Sequence, residues 1–426
     1  MIDGMKSPAS PLAEPDGPPR SGSVPRPDPL LAPSGEPALS DWSLDPAVRH
    51  LNHGSFGAVP LAAQRAQREY QTVMDANPCA WFTDVVGRVG AARAEIAAYL
   101  GASPDATALV PNASGGVSVV YDSVPAWRGM RIVTTDHGYG AVLMGAGRLA
   151  RRWDGSVTTV HIPLDATDDE AFAAVAAEMT DDVALVVIDH VTSATARRLP
   201  AGRVAAHGRG LGIPVLVDAA HAPGLVAHPL AGIDADFWVG NLHKFACAPR
   251  GTAALVASGP HAQSLHPLVD SWAAPEPFPA RFDQQGTIDV TSYLAAPVAF
   301  ATVEEHYGWD AARRYIAELG DYAQAIVTEA LSGLTGTDAS APVGSPVGGL
   351  RLVRLPRGVA ADQEAAHGLR HDIAVRLGIE TAVTSWRGHG FLRLSTHVYN
   401  TAEDFEDFVE RGVPFIVERS RAARTG

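Results

Sequence analysis

The sequence predicts an α/β protein with a mainly parallel sheet covered by helices on both faces. Two observations predict it. From about residue 85 the chain alternates between strand-like and helix-like stretches, and such alternation builds parallel sheets. The strand-like stretches, "ALVVI" and "VLV" among them, are continuous apolar runs, the pattern of strands buried on both faces. With 426 residues and roughly 100–200 residues per domain, two or three domains are expected.

The elements follow in order. Residues 1–40 are crowded with Pro, Ser, Gly and Asp ("SPASPLAEPDGPPRSGSVPRPDP"). Such a stretch buries too little apolar surface to offset its ordering entropy, so it reads as a disordered tail. The folded chain begins near Asp41. "RVGAARAEIAAYLG" has helical spacing and stops at Gly101. "TALVPNASGGVSVVYDSV" reads as strand, Gly-containing loop and helix, and "MRIVTTDHGYGAVLMGAGRLAR" repeats that order. "DVALVVIDHVTSATARRLP" gives a strand and a polar loop, "GRVAAHGRGLGIPVLVDAAHAPG" a helix and a strand, and "ADFWVGNLHK" and "GTAALVAS" two more strands. After residue 300 one long helical stretch ("AFATVEEHYGWDAARRYIAELGDYAQAIVTEALSGL") leads to strand "GGLRLVRLP", helix "ADQEAAHGLRHDIAVRLG", strand "GFLRLST" and helix "TAEDFEDFVERGVPFIVERSR". That is a smaller α/β layer.

Composition excludes several function classes. A formal charge of −14 argues against nucleic acid and anionic membrane surfaces as partners. Two cysteines, Cys79 and Cys247, make no disulfide framework or Cys-rich metal site and fit a reducing cytoplasm. No apolar run approaches the ~20 residues that span a bilayer, and no apolar stretch follows the first Met as in a secretory signal. The sixteen histidines show no tight metal-ligand spacing, so no metal is expected, and "GYGAVLMGAG" is not a dinucleotide fingerprint.

In open parallel sheets, ligands sit outside the carboxyl ends of the strands. Here those ends carry Asn112 and Ser114; Asp136, His137 and Tyr139; Asp189, His190, Thr192 and Ser193; Asp218 and His221; and Asn241, His243 and Lys244. A lysine at the end of a buried strand needs a reason. Low dielectric lowers its pKa and makes it nucleophilic, which suits a Schiff base. Pyridoxal phosphate (PLP) wants such a lysine, an acid at its pyridine nitrogen and donors at a helix N-terminus for its phosphate. Lys244, Asp218 and the "NASGG" loop supply them.

At these residues the chain resembles fold-type I PLP enzymes of the class V aminotransferase superfamily, and within it the isopenicillin-N-epimerase-like group. The motifs are "LNHGSFGAVP" (51–60), "VPNASGGVS" (110–118), "TTDHGYGAV" (134–142), "DHVTSAT" (189–195), "VDAAHAPG" (217–224), "GNLHKFACAPRG" (240–251), "QGTIDVTSYLAAP" (285–297) and "LRLSTHVYNTAEDF" (392–405), in family order. The resemblance implies a large PLP-binding domain over 41–300 with a mainly parallel seven-stranded sheet. Its N-terminal segment contributes to a smaller C-terminal α/β domain over 301–426. It implies that Lys244 carries the cofactor and shuttles a proton, and that Asp218 pairs with the pyridine nitrogen. His221 faces the phenolic oxygen, and His137 stacks on the ring, with Tyr139 an alternative for that face or for the substrate pocket. Ser114 with the Gly115 amide, Asn241 and His243 hold the phosphate, and Thr287 reaches the phosphate of a second subunit in a homodimer with shared sites. Arg393 grips the substrate carboxylate, Thr192 lies by the ring or that carboxylate, and Asn52 and His53 line the entrance.

The resemblance leaves the reaction open. Cysteine desulfurases of the superfamily place a nucleophilic Cys shortly before the carboxylate arginine, and "IETAVTSWRGHGFLRLS" has none; Cys247 reads as a packing residue. Epimerisation needs a second base, for which Tyr139 is the candidate. β-Elimination needs only Lys244 and a leaving group such as a thiolate. The reading therefore favours C–S lyase chemistry on a cysteine S-conjugate. Epimerisation, transamination and decarboxylation-coupled oxidative deamination are the alternatives; the resemblance extends to relatives in lincosamide-type antibiotic biosynthesis, where one enzyme eliminates and another decarboxylates and oxidatively deaminates, and a PLP-fold sensor is the non-enzyme alternative. Ala80 and Trp81 in "NPCAWF", where group members carry a basic residue, point to an aromatic wall for a bulky substrate.

Overall fold

The computed structural model describes residues 24–425. A two-residue strand, β1 (Arg49–His50), precedes helices α1 (Leu61–Ala76) and α2 (Pro78–Leu100). The alternating part follows: β2 (Thr107–Val110), α3 (Ala113–Ser123), β3 (Arg131–Thr135), α4 (Gly140–Arg152), β4 (Ser156–Val160), α5 (Asp168–Ala176), β5 (Val183–Asp189), α6 (Ala201–Leu211), β6 (Val215–Asp218), β7 (Phe237–Asn241) and β8 (Ala253–Ala257). Then come α7 (Thr291–Tyr307), α8 (Trp309–Thr335), β9 (Leu350–Arg354), α9 (Gln363–Leu377), β10 (Ile379–Glu380), β11 (Ala382–Trp386), β12 (His389–Ser395), α10 (Ala402–Asp407) and, after a π turn over Phe408–Gly412, α11 (Val413–Thr425).

Seven strands form the first sheet in the order β2-β8-β7-β6-β5-β3-β4. Only β8 runs against its neighbours; the other pairings are parallel, as the sequence predicts. Both faces are buried, which is why the strands are apolar throughout. Along β5, Val186 and Ile188 pack into the layer of α2, α6 and α7, while Leu185 and Val187 pack into that of α3 and α4. A second, antiparallel sheet, β11-β12-β9, packs with α8, α9, α10 and α11. Among the described residues, no helix is long and apolar enough to cross a membrane.

Three local readings are corrected. The long helical stretch after residue 300 is two helices, divided at Gly308, whose φ of 70° a helix cannot continue. The edge strand β4 ("SVTTV") is polar and half-exposed, so it carries no apolar signal. Of the tail expected over 1–40, residues 24–40 pack onto the fold, and residues 1–23 lie outside the described residues. Ala32 and Ala38 are buried, Leu31 bridges Pro37, and Arg26 forks onto Glu406 of α10 at 2.7 and 3.1 Å. The segment is held by contacts to distant parts of the chain, which its own composition does not reveal.

The loop between β1 and α1 packs backbone to backbone against the segment after β7. The Gly57 N–H donates to the His243 carbonyl at 3.1 Å. A Cβ at Gly57 would stand 2.4 Å from the Lys244 carbonyl oxygen and 2.6 Å from that of His243. Gly57→Ala therefore displaces that segment and costs about 1–3 kcal/mol of stability, read as a lowered urea midpoint; an unchanged midpoint contradicts the packing.

Candidate active site

Neighbouring strands β5 and β6 end in register at Asp189 and Asp218, both buried. The Asp218 carboxylate accepts the Ala220 N–H at 3.0 Å. Burial raises both carboxyl pKa values, that of Asp189 well above the usual range, with Asp218 adding to the shift. Beyond β7 the chain turns into Lys244, whose Nζ lies 3.2 Å from His221 Nε2. Burial lowers the Lys244 pKa to about 8, and Arg393 pushes the same way against the two aspartates. His221 is buried and held well below the usual imidazole range, and its Nδ1 has no partner among the described residues.

Arg393 enters from the second sheet on β12 and is 3% exposed. Its partners are all neutral: the Ser193 carbonyl at 2.8 Å and hydroxyl at 3.3 Å, Asn52 Oδ1 at 3.2 Å and Ser55 Oγ at 2.8 Å. Among the described residues no carboxylate pairs with it, and its Nε is buried without a partner. Burial lowers its pKa to about 10. A buried guanidinium lacking a counter-charge is costly, and a two-oxygen anion matches its planar fork.

The remaining expected site residues divide. Asn52 belongs with Arg393 and also braces the Ser55 hydroxyl at 2.7 Å. Tyr139 caps the start of α4, is 47% exposed, and lies close enough to Arg393 to act on its charge. His137 is buried with both ring nitrogens engaged: Nε2 donates to the Ile162 carbonyl at 2.8 Å and Nδ1 meets Thr195 Oγ1 at 2.7 Å. One face of its ring stacks on Trp386 at 4.8 Å. With both nitrogens committed, the His137 ring is held in a fixed orientation. At the N-terminus of α3, Asn241 Oδ1 accepts the Ala113 N–H at 2.8 Å, and the Gly115 amide is taken by its own cap, Asn112 Oδ1, at 2.8 Å. Gly115 is thus already satisfied, whereas the Ser114 hydroxyl has no hydrogen bond among the described residues. His243 donates through Nδ1 to the Thr252 carbonyl at 2.9 Å.

Three positions differ from expectation. The Thr192 hydroxyl is fully buried, bonded to Thr195 and to the Arg197 backbone, and braces its own loop. His53 does not line an entrance: it is completely buried, with Nε2 on the Lys244 carbonyl at 3.0 Å. Trp81 is 2% exposed, in the core with Tyr70 and under the Arg88 guanidinium, so in this chain it forms no wall of the site. Thr287, expected to reach a second subunit, sits in an exposed loop. Sequence reasoning missed Ser55 and Trp386 altogether and left Asp189 and Ser193 as strand-end residues without a role. Ser55 lies in "LNHGSFGAVP" and Trp386 in "IETAVTSWRGHGFLRLS", and only the fold shows that they meet Arg393 and His137.

The aminotransferase class-V family model matches residues 82–408. The isopenicillin N epimerase of Streptomyces clavuligerus is 30% identical over 87% of this chain and 97% of its own length. That of Amycolatopsis lactamdurans is 31% identical, over 89% and 98%. A putative L-cysteine desulfhydrase of Oryza sativa subsp. japonica is 28% identical over 84% and 81%. Among solved structures, a C-DES mutant with glycine covalently linked to its PLP cofactor has a TM-score of 0.74 at 18% identity, covering 88% of this chain and 99% of that one. An apo cysteine desulfurase from Thermococcus onnurineus NA1 has 0.73 at 19%, covering 91% and 98%. These structures share the fold.

The charges around Lys244 set the pH at which its amine reacts. In cofactor-free protein, reductive methylation of Lys244 should rise with pH around a midpoint of about 8. Asp218→Asn removes a negative neighbour and moves the midpoint down; Arg393→Met removes a positive one and moves it up. A midpoint in the ordinary lysine range near ~10.4 contradicts the geometry.

Proposed function

The chain belongs to the aminotransferase class V family of PLP-dependent enzymes, and from that premise we propose that it eliminates the β-substituent of a cysteine S-conjugate. The residues present fit PLP. A buried carboxyl, Asp218, ends the strand beside a lysine already lowered to about 8, and His221 Nδ1 is a buried polar atom awaiting a partner. In this reading Lys244 would bond the cofactor aldehyde, Asp218 would pair with its pyridine nitrogen, His221 with its phenolic oxygen, and His137 would offer its uncovered face to the ring. Ser114, Asn241 and His243 hold the phosphate from the α3 terminus and the turn after β7. PLP supplies a sink for the negative charge left at Cα.

Arg393 holds the substrate carboxylate and so orients the Cα–H bond. Once the substrate amine has displaced Lys244 from the cofactor aldehyde, the freed Nζ takes that proton, the Cβ–S bond breaks, and its electron pair leaves on sulfur as a thiolate. The three-carbon remainder takes up water to give pyruvate and ammonia. One observation supports this choice: among the described groups at this edge, Lys244 offers a buried amine lowered to about 8, and elimination asks for no second base. The His137 nitrogens are committed, His221 Nε2 lies on Lys244, and the Cys247 thiol is fully buried with its pKa pushed well up, unfit for persulfide chemistry. The desulfhydrase relatives carry names consistent with C–S cleavage. The second reading is epimerisation, favoured by the epimerase relatives and by exposed Tyr139 as a base for the opposite face. The proposal includes a homodimer, supported by the exposed loop of Thr287, and a cytoplasmic location, supported by two unpaired cysteines.

Incubation with S-alkyl cysteines in deuterated water separates the readings. Pyruvate and free thiol are expected. A substrate of otherwise unchanged constitution, inverted and deuterated at Cα, supports epimerisation instead; loss of CO2 with an aldehyde supports an oxidative route.

Arg393→Ala should lower kcat/KM by an amount worth about 2–5 kcal/mol, roughly 30- to several-thousand-fold. PLP affinity, read by fluorescence titration, should be nearly unchanged. Collapse of PLP affinity with activity retained overturns the carboxylate assignment.

A further inference from the structure

Beneath Lys244 lies a cluster that the proposed chemistry does not use. His53, Cys247 and His397 are all fully buried, with ligand atoms within 4.8 Å of one another. Cys247 Sγ is 3.4 Å from His397 Nε2 and 3.8 Å from His53 Nε2. The residue types are those of a zinc site, but the ring geometry is not. The two imidazoles stack at 3.8 Å with planes 16° apart. An imidazole lone pair points along its own ring plane, and zinc sits about 2.0–2.1 Å from each nitrogen. One ion cannot lie in two near-parallel planes stacked at that separation.

The hydrogen bonds fix what His53 does instead. The Lys244 carbonyl can only accept, so His53 Nε2 carries the proton of their 3.0 Å contact. Nδ1 must then accept, which it does from the Tyr399 hydroxyl at 3.0 Å. Deep burial keeps the ring neutral. The Lys244 carbonyl also accepts the Cys247 N–H at 2.9 Å, so its two acceptor positions are filled from two directions. That turn is tight: Cys247 has φ 61°, a left-handed conformation unusual for a residue with a side chain. Phe245, 1% exposed, lies between His53, His221 and His397 and closes the cluster.

We propose that His53 is a positioning residue for Lys244: held by Tyr399 and stacked on His397, it anchors the lysine's backbone carbonyl and so fixes where Nζ meets the cofactor and the substrate. The proposal rests on Lys244 being the cofactor-bearing lysine. It accounts for a buried histidine in a core that would otherwise favour an apolar ring.

The test compares two variants of the PLP-loaded enzyme. His53→Phe keeps the ring and its stacking but loses the donor; His53→Gln keeps an N–H at the Nε2 position. His53→Phe should lower kcat between about 10- and 100-fold, the range expected when a reacting group is misplaced by about 1 Å. KM should move by no more than about 3-fold, and the visible circular dichroism of the bound cofactor should change. His53→Gln should recover most of both. If His53→Phe does not fold, Tyr399→Phe, which removes the hydroxyl oriented on Nδ1, should show the same changes in weaker form. Unaltered kcat and dichroism in the phenylalanine variants, equal damage by His53→Gln and His53→Phe, or stoichiometric zinc in the purified enzyme would each overturn the proposal. Lys244→Ala separates the premise: a visible lysine-linked band surviving in that variant refutes the lysine assignment, whereas inert His53 variants beside a lost band refute only the positioning role.

Discussion

Charge held out of water at one sheet edge is the constraint on which the rest of this structure depends. Lys244, Asp218, Asp189 and Arg393 converge there without a direct ion pair among them, each shifted toward its neutral form by burial. Lone buried charges are destabilising, so the fold around them has to be rigid enough to hold them in place. The first sheet supplies that rigidity with five parallel strands in register and a layer of helices on each face. In the proposed reading, a ligand that brings a protonated ring nitrogen to Asp218 and a carboxylate to Arg393 completes the edge.

The two sheets divide the work. The first brings Asp189, Asp218, His221 and Lys244 to one edge, and the second delivers Arg393 on β12. They are tied where Asn52 and Ser55, from the loop after β1, and Ser193, from the loop after β5, close on the guanidinium. A second tie joins the tip of the β11–β12 hairpin to the end of β3: Trp386 Nε1 donates to the Asp136 carbonyl at 2.9 Å, and Arg387 reaches the Asp136 carboxylate at 3.2 Å. That hairpin carries both the ring behind His137 and Arg393, so a shift of the second sheet would be felt at both.

The sequence made the sheet legible because two-faced burial forces unbroken apolar runs such as "ALVVI". It drew attention to Lys244 and Asp218 because a charge at the end of such a run is costly to bury, and chains place one there where a ligand can complete it, whereas Arg393 was marked by the family resemblance alone. The misses share a physical cause. β4 and residues 24–40 owe their order to partners elsewhere in the chain, so their own composition carries no sign of it. His53 and Trp81 were placed by motif and residue type, whereas their burial is decided by long-range packing against Phe245, His397 and Tyr70. Thr192 and Gly115 show the local version: a hydroxyl or amide beside a site is spent on its own loop or helix cap when a partner is within reach.

The chain contains two lysines, Lys6 and Lys244, which makes the central claim open to one unambiguous measurement. Borohydride reduction of the PLP-loaded enzyme, followed by digestion and peptide mass spectrometry, should place one cofactor mass on the peptide carrying Lys244 and none on that carrying Lys6. A cofactor mass on Lys6 alone, or an unlabelled Lys244 peptide from enzyme that turns over, would contradict the account.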